Sequence, residues 1–322
     1  MQELYEAQVE RERSKDYSEC AEVPAMKHMT AMVSCFARAY HFRMNRVRIF
    51  SDDAAELLLN EDCERIAQNM IRGIGYFLPG FRGSPEEGLR LIADRQLSPS
   101  VLGRSAFCEA MLEKAVKKGC GQYVILASGY DTFGIRNKNT SLKVFEADLP
   151  DLLEDKKERM EKAGLNSASV FVPCDLSDPS WKDGLLEKGF DKNQTAFAGM
   201  LGISYYLTKD EFGALLSTLG DLLPTDSELC LDCPTEEEGH ESRVNRELAQ
   251  GADEAMKARY STAELDTILK RNGFEIRTVL KPEEMTEQYF SRYNRANEEH
   301  RMEAPAGVCY VLAVCKKGAE KE

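Results

Sequence analysis

The sequence is short of positive charge. Its 42 Lys and Arg stand against 55 Asp and Glu, a formal net charge of −13. Non-specific nucleic-acid binding and docking on an anionic membrane both need a cationic surface, so this balance argues against both. Long apolar runs are also missing. No stretch reaches the ~20 residues of a membrane helix, and MQELYEAQVERERSKD is too charged to read as a secretory leader. The expected location is cytoplasmic. Histidine is scarce: His28, His41, His240 and His300 show neither triad nor metal spacing and are expected at the surface or in packing. The ten cysteines are scattered. Cys230-Leu-Asp-Cys233 is formally C-x-x-C, but no second pair of ligands accompanies it. In a strand, residues three apart face opposite sides, so the two thiols do not converge. No metal is expected, and the thiols read as small buried hydrophobes.

What is present suits a globular chain. A length of 322 residues supports one large core, or a core with a cap, and 43% hydrophobic with 30% charged residues is ordinary for that class. Residues 1–20 read as a polar helix or arm, and 24–48 as a helix rich in apolar positions. Ser51 before Asp52 and Asp53 is an N-cap signal. The helix it opens is expected to reach about Met70, with Leu57, Leu58, Ile66, Met70 and Ile71 inward. Between Arg72 and Ser100 the pattern loosens around Gly73, Gly80, Gly83, Ser84 and Pro85. Residues 1–100 therefore read as a helical cap on a core spanning 101–322, with an insertion near 234–260 that starts at the acidic run Glu236–Glu238.

From Arg104 the text becomes periodic. Phe107, Met111, Leu112, Ala115 and Val116 share one helical face, and Gly119 and Gly121 close that helix. Strands are expected at Gln122–Leu126, Leu142–Phe145, Val170–Val172, Thr195–Ile203, Leu229–Leu231, Phe274–Leu280 and Val308–Val314. Thr208-x-x-Glu211 and Ser261-x-x-Glu264 are capping boxes that open intervening helices. Alternating strands and helices imply an α/β, doubly wound, mostly parallel sheet of seven strands. The stretch 281–307 lacks a strong helical pattern and fits a final antiparallel strand lying beside the sixth.

The stretch QYVILASGYDTFGIR, residues 122–136, is a buried strand breaking into a small-residue turn, where backbone N–H groups can approach a ligand. A tight turn without a ligand is the alternative. In such a sheet, ligands sit at the carboxyl ends of the strands. Gly129 opens the turn. Asp148 ends the second strand at close to the ~20-residue spacing of a ribose-gripping acid. Asp175 and Leu176 end the third, where they could meet an adenine edge and face. Arg104 starts the helix leading into the first strand, and its guanidinium could clamp a carboxylate. Two ligands compete, a dinucleotide and S-adenosylmethionine. The full G-x-G-x-x-G is absent, with Ala127 and Thr132 in place of two glycines. Asp131 at the following helix start would repel a pyrophosphate, but not an ammonium and a sulfonium. The local chemistry favours S-adenosylmethionine.

The run Leu126-Ala-Ser-Gly-Tyr-Asp-Thr132 with Arg136 resembles the L-G-x-G-x-D-T-R-x-x-R signature of the leucine carboxyl methyltransferase-like family of S-adenosylmethionine-dependent O-methyltransferases. Val144-Phe-Glu-Ala-Asp-Leu-Pro150 with Lys156 is similar to its E-x-D-x-P…K block. Tyr206-Leu-Thr208 is similar to its Y-L-T, and Thr30-Ala31 with Arg38 to its T-A…R-A helix. The resemblance spans roughly 28–235. It implies the class I methyltransferase, Rossmann-like form of the sheet. It also implies cofactor roles for Arg104 (carboxylate), Ala127, Gly129 and Asp131 (turn), Asp148 (ribose), and Asp175 and Leu176 (adenine). Three positions depart from it: Ala127 replaces a glycine, Phe133 the first signature arginine, and Leu201 a glutamate after the fourth strand.

The implied reaction is methyl transfer to a carboxylate or hydroxyl of a small molecule or a protein C-terminus. A carboxylate needs no base and a hydroxyl usually wants one; no catalytic base is legible. Tyr205 and Tyr206 suit either a substrate wall or the core. A non-catalytic S-adenosylmethionine-binding or scaffold protein of the same fold, motivated by Phe133 and Leu201, is an alternative. A nicotinamide-dependent oxidoreductase is the reading that Asp131 disfavours.

Overall fold

The computed structural model describes residues 28–237, 246–247 and 255–316. The arm expected over 1–20, His240 and much of the insertion lie outside the described residues. Seven strands form one sheet: β1 Gln122–Leu126, β2 Lys143–Asp148, β3 Val170–Pro173, β4 Ala196–Met200, β5 Glu228–Pro234, β6 Phe274–Leu280 and β7 Val308–Cys315. Their order is β3-β2-β1-β4-β5-β7-β6. The first five run parallel, and β7 lies antiparallel between β5 and β6. The chain winds outward from β1 in both directions, so the loops after β1 and β4 diverge at the topological switch point and leave a crevice between them.

β1 and β4 are buried at every position, as central parallel strands must be. Trp181, Phe212, Leu216 and Phe274 fill one face of the sheet, and Phe107, Tyr123, Phe197 and Tyr310 fill the other. Cys233 belongs to the first set and Cys230 to the second, so the C-x-x-C thiols do face opposite sides. A third cluster holds Phe36, Tyr40, Leu58, Ile66 and Ile92 of the helical cap, and it takes in Tyr130 and Met160 from the sheet domain. The cap thus buries its apolar faces against the turn that follows β1.

The N-terminal third departs from the sequence reading. α1 spans Met29–Met44. The single helix expected over 51–70 is two, α2 Ala55–Leu59 and α3 Glu61–Arg72, broken at Asn60 with φ 51°. Asn tolerates that left-handed conformation better than most residues. Ala54, not Ser51, holds the N-cap position, and the helix start is tied by Asp52, whose Oδ1 accepts the N–H groups of Ala54 and Ala55 at 3.3 and 3.1 Å. Leu57, expected inward, is 54% exposed, since the break rotates its face toward solvent.

The loose stretch 72–100 carries α4 Ile74–Phe77 and α5 Pro85–Ile92, the latter opened by a Ser84/Glu87 capping box. A π-turn over Ala93–Leu97 leads into α6, Ser98–Lys117, which begins before Arg104. In the core, α7 Phe133–Arg136, α8 Pro150–Lys162, α9 Trp181–Glu187, α10 Lys209–Leu222 and α11 Thr262–Arg271 alternate with the strands. The two core capping boxes form as expected. The stretch 281–307, read as lacking a strong helical pattern, is helical from 282 to 296: α12 Pro282–Met285 passes through a π-helical turn, Thr286–Phe290, into α13 Ser291–Ala296, and that turn breaks the 3.6-residue period. β4 ends at Met200, which places Leu201 in the following loop.

Candidate active site

A cavity of 910 Å³ opens at the carboxyl ends of β1, β2 and β4, walled on its far side by the helical cap. Arg104, Ala127, Gly129, Asp131 and Asp148 all line it. Asp175 and Leu176 are not brought to this wall. Asp175 is exposed and accepts the Ser177 N–H at 2.8 Å, and Leu176 packs against the apolar face beneath.

The turn after β1 is shaped by two left-handed residues, Ala127 at φ 52° and Gly129 at φ 49°. For alanine that conformation costs about 1 kcal/mol, which the glycine of the signature would avoid. The Gly129 N–H donates to Asp148 Oδ2 at 2.6 Å, and Leu149 N–H to Asp148 Oδ1 at 2.7 Å. Burial pushes the Asp148 carboxyl above its usual range, opposed by those two N–H groups. Asp131 Oδ1 accepts the Phe133 N–H at 2.6 Å, so its side chain caps the start of α7 while lining the cavity. Ser128 also lines the cavity, and its buried hydroxyl has no partner among the described residues. An orphaned hydroxyl beside an open turn and a buried carboxylate is a donor set made for a polar ligand.

The cap locks this turn from behind. Arg38 on α1 donates to the Tyr130 carbonyl at 2.7 Å and to Asp52 Oδ2 at 2.8 Å. Arg136 meets Asp52 at 3.4 Å and Glu109 at 2.5 Å. Behind Asp148, Lys156 pairs with Glu146, both fully buried.

Arg104 reaches the cavity from the interior of α6. Its guanidinium donates to Ser34 Oγ at 3.3 Å and lies 3.6 Å from Asp232 Oδ2. Asp232 is wholly buried and accepts the Gly202 N–H at 2.7 Å and the Tyr205 hydroxyl at 2.9 Å. Sequence reading missed it, although it is the one carboxylate in the run Leu229–Cys233. The guanidinium also rests on Gly202, where a Cβ would come within 2.7–2.8 Å of its atoms and the backbone has φ +72°. Gly202→Ala is accordingly expected to dislodge Arg104 and weaken S-adenosylhomocysteine binding by about tenfold, the worth of one charge-assisted contact. Calorimetry reads this directly, and unchanged affinity would separate Arg104 from the site.

Tyr205 and Tyr206 both line the cavity. Burial, and then Asp232, raise the Tyr205 hydroxyl well above its ordinary range. His28 lines the cavity too, with Nε2 3.4 Å from Asp151. His41 is packed: it accepts the Ile49 N–H at 3.0 Å, and burial, with Arg90 and Arg48, pushes it down to about 3. His300 sits beside Asp94 at 3.2 Å, outside the cavity. Among the described residues no three metal-ligating side chains converge, and no helix is long and apolar enough to cross a membrane.

The family model described as leucine carboxyl methyltransferase matches residues 31–220 of this chain. The chain belongs to the leucine carboxyl methyltransferase family. Its activity class is S-adenosylmethionine-dependent methyl transfer. A similar protein from Bacillus subtilis, YktD, bears the name of an S-adenosyl-L-methionine-dependent methyltransferase. It is 34% identical over 303 residues, 89% of this chain and 98% of that protein. A Mycobacterium avium protein with the same kind of name is 28% identical over 188 residues, 56% of this chain and 63% of its own length. The solved structure of a Thermobifida fusca protein named as a methyltransferase shares the fold, with a TM-score of 0.52 at 15% identity over 81% of this chain and 93% of that one. A Streptomyces avermitilis structure superposes with a TM-score of 0.50 at 14% identity, covering 77% and 97%.

Within the family signature, the departure at Phe133 is a packing change. Its ring meets Tyr123 edge-on at 5.0 Å and 90°, and it does not line the cavity. Leu201 does line it, half-buried against the same apolar cluster.

Proposed function

We propose that the protein is an O-methyltransferase that places the methyl of S-adenosylmethionine on a carboxylate oxygen of a small molecule or a protein C-terminus. In this reading Asp148 binds the ribose hydroxyls, Arg104 the cofactor's carboxylate, and the turn Ala127–Asp131 its cationic portion. Ser128, Gly129 and the buried Asp148 carboxylate fit those groups. Asp175 and Leu176, outside the cavity wall, are not used in it.

The observation that carries the choice of acceptor is the make-up of the cavity wall. Beyond the turn it carries the cationic side chains Lys257 and Arg259, and the one histidine among its described lining residues, His28, is engaged with Asp151. A carboxylate is drawn to cations and is already ionised, so it needs no base; a hydroxyl does. The bound cofactor supplies an electrophilic sulfonium methyl. Transfer to a carboxylate would give an ester and S-adenosylhomocysteine with no proton to move, so no residue of this chain need act as a base. The protein's part is to hold the two in line and keep water out, which the cap does by walling the cavity with Met29, Val33, Met70 and Phe77.

With labelled S-adenosylmethionine and an acceptor fraction, the product is expected to release volatile methanol in mild base, as an ester does. A base-stable product would mark an ether and a hydroxyl acceptor. Cofactor binding with no transfer to any fraction would favour the non-catalytic reading instead.

A further inference from the structure

Leu201, Tyr206 and Met256 line the cavity, and each packs against the apolar cluster that holds Tyr123 and Phe197. The Lys257 N–H donates to the Tyr205 carbonyl at 2.7 Å, which lays 256–259 along the loop after β4. Lys257 and Arg259 thereby border the same hydrocarbon floor, and Phe77 of the cap also lines the cavity. Resting on the carboxylate reading above, we propose that the acceptor is a small monocarboxylic acid with an apolar alkyl or aryl body. Its chain lies on Leu201, Tyr206 and Met256, and its carboxylate is held by the Lys257 and Arg259 charges.

Three physical points carry this. A polypeptide tail brings one N–H and one C=O per residue into the cavity, and a floor of a thioether, an isobutyl group and a single phenol offers a partner to one of them at most. A hydrocarbon body needs none and gains about 0.8 kcal/mol per methylene buried. Finally, among the described residues Lys257 pairs with Glu211, at 3.3 Å and with both side chains nearly half exposed. Such pairs are weak and yield readily to an anionic ligand.

The test uses the full-length protein, methyl-labelled S-adenosylmethionine and six acceptors: butanoate, hexanoate, octanoate, 4-phenylbutanoate, succinate and a hexapeptide with a free C-terminus. Expected is base-labile product, with kcat/KM rising about fourfold per methylene from butanoate to octanoate. Phenylbutanoate should rank with octanoate, while succinate and the peptide fall at least about 50-fold below it. Leu201→Glu sets a carboxylate on the floor and should cut octanoate turnover at least about 30-fold, with S-adenosylhomocysteine affinity held within about twofold. Met256→Ala, which adds no charge, should flatten the chain-length series without changing the order of phenylbutanoate and succinate.

Ester formed on the peptide or succinate in preference to octanoate would overturn this inference and leave the carboxylate reading standing. A flat series, or no transfer to any of the six by protein that binds S-adenosylhomocysteine, also overturns it. Base-stable product on a hydroxyl compound overturns both.

Discussion

Asp148→Ala is expected to lower S-adenosylhomocysteine affinity by at least about 100-fold, through the loss of two charge-assisted hydrogen bonds of about 1.5–3 kcal/mol each. The carboxylate ends β2 where the sheet opens, buried to 8% exposure, and it already accepts from Gly129 and Leu149. Those bonds use one lone pair on each oxygen and fix its plane, leaving the remaining acceptor capacity for a diol. On the proposed ribose role, alanine would remove the diol contact, and it also strips the Gly129 N–H of its partner, so the turn loosens as well. Asp148→Asn separates the two effects. Its amide oxygen can still accept from Gly129, which keeps the turn, while the charge is gone; a loss of about tenfold is expected there. Because burial raises the Asp148 pKa, affinity should also fall as pH drops toward the acid range, sooner than for an exposed carboxylate. Calorimetry across pH, with melting curves as the control for folding, reads all three. Affinity in Asp148→Ala equal to that of the native chain would remove the residue from the cofactor site.

The sheet was legible because its signals are local. An apolar run breaking at Ala127-Ser-Gly129, an acid closing the next strand, and two capping boxes each specify an element within a few residues. The doubly wound, mostly parallel sheet followed from the alternation of strands and helices, whereas the antiparallel last strand was expected from a lack of helical pattern in 281–307, a stretch that is in fact helical over 282–296. The cap was less legible because its elements are short and depend on tertiary contact. The break at Asn60 follows from a left-handed residue that no periodicity announces. Ser84-Pro-Glu-Glu87, by contrast, was a readable capping box inside a stretch that looked like loop, so α5 could have been found. The site divides in the same way. Gly129, Asp131 and Asp148 line the cavity because each sits at an element end that local sequence signals mark, while Arg104, expected at a helix start, lies inside α6 and reaches the cavity from there. Asp232 was missed because its role depends on Arg104, Gly202 and Tyr205, which are far apart in the chain. Asp175 and Leu176 were placed at the end of the third strand and by the family resemblance; they follow β3 Val170–Pro173 and do not line the cavity.

Asp52→Ala is expected to cost about 3–5 kcal/mol of stability, the penalty for leaving buried cations uncompensated. Asp52 has no exposed side-chain area and serves the cap and the core at once. It pairs with Arg38 at 2.8 Å and Arg136 at 3.4 Å, and it ties the start of α2 through Ala54 and Ala55. Arg38 in turn holds the Tyr130 carbonyl, so the loss reaches the cofactor turn. Burial alone would raise the Asp52 pKa, but Arg38, Arg136 and the Thr132 hydroxyl outweigh it and hold the carboxyl below its usual value. The linkage sign follows. A depressed native pKa contributes stability that is present above the unfolded value of ~3.9 and is lost as pH falls through the native one. Urea titration should therefore show native stability dropping across that acid window, with a shallower drop in Asp52→Ala. Asp52→Asn keeps the tie to the α2 start and should recover only the smaller share, about 1 kcal/mol. If Asp52→Ala lost no more than a cap's worth, the pairing with Arg38 and Arg136 would carry no net stability, and the link between cap and turn would rest on apolar packing around Tyr130 alone.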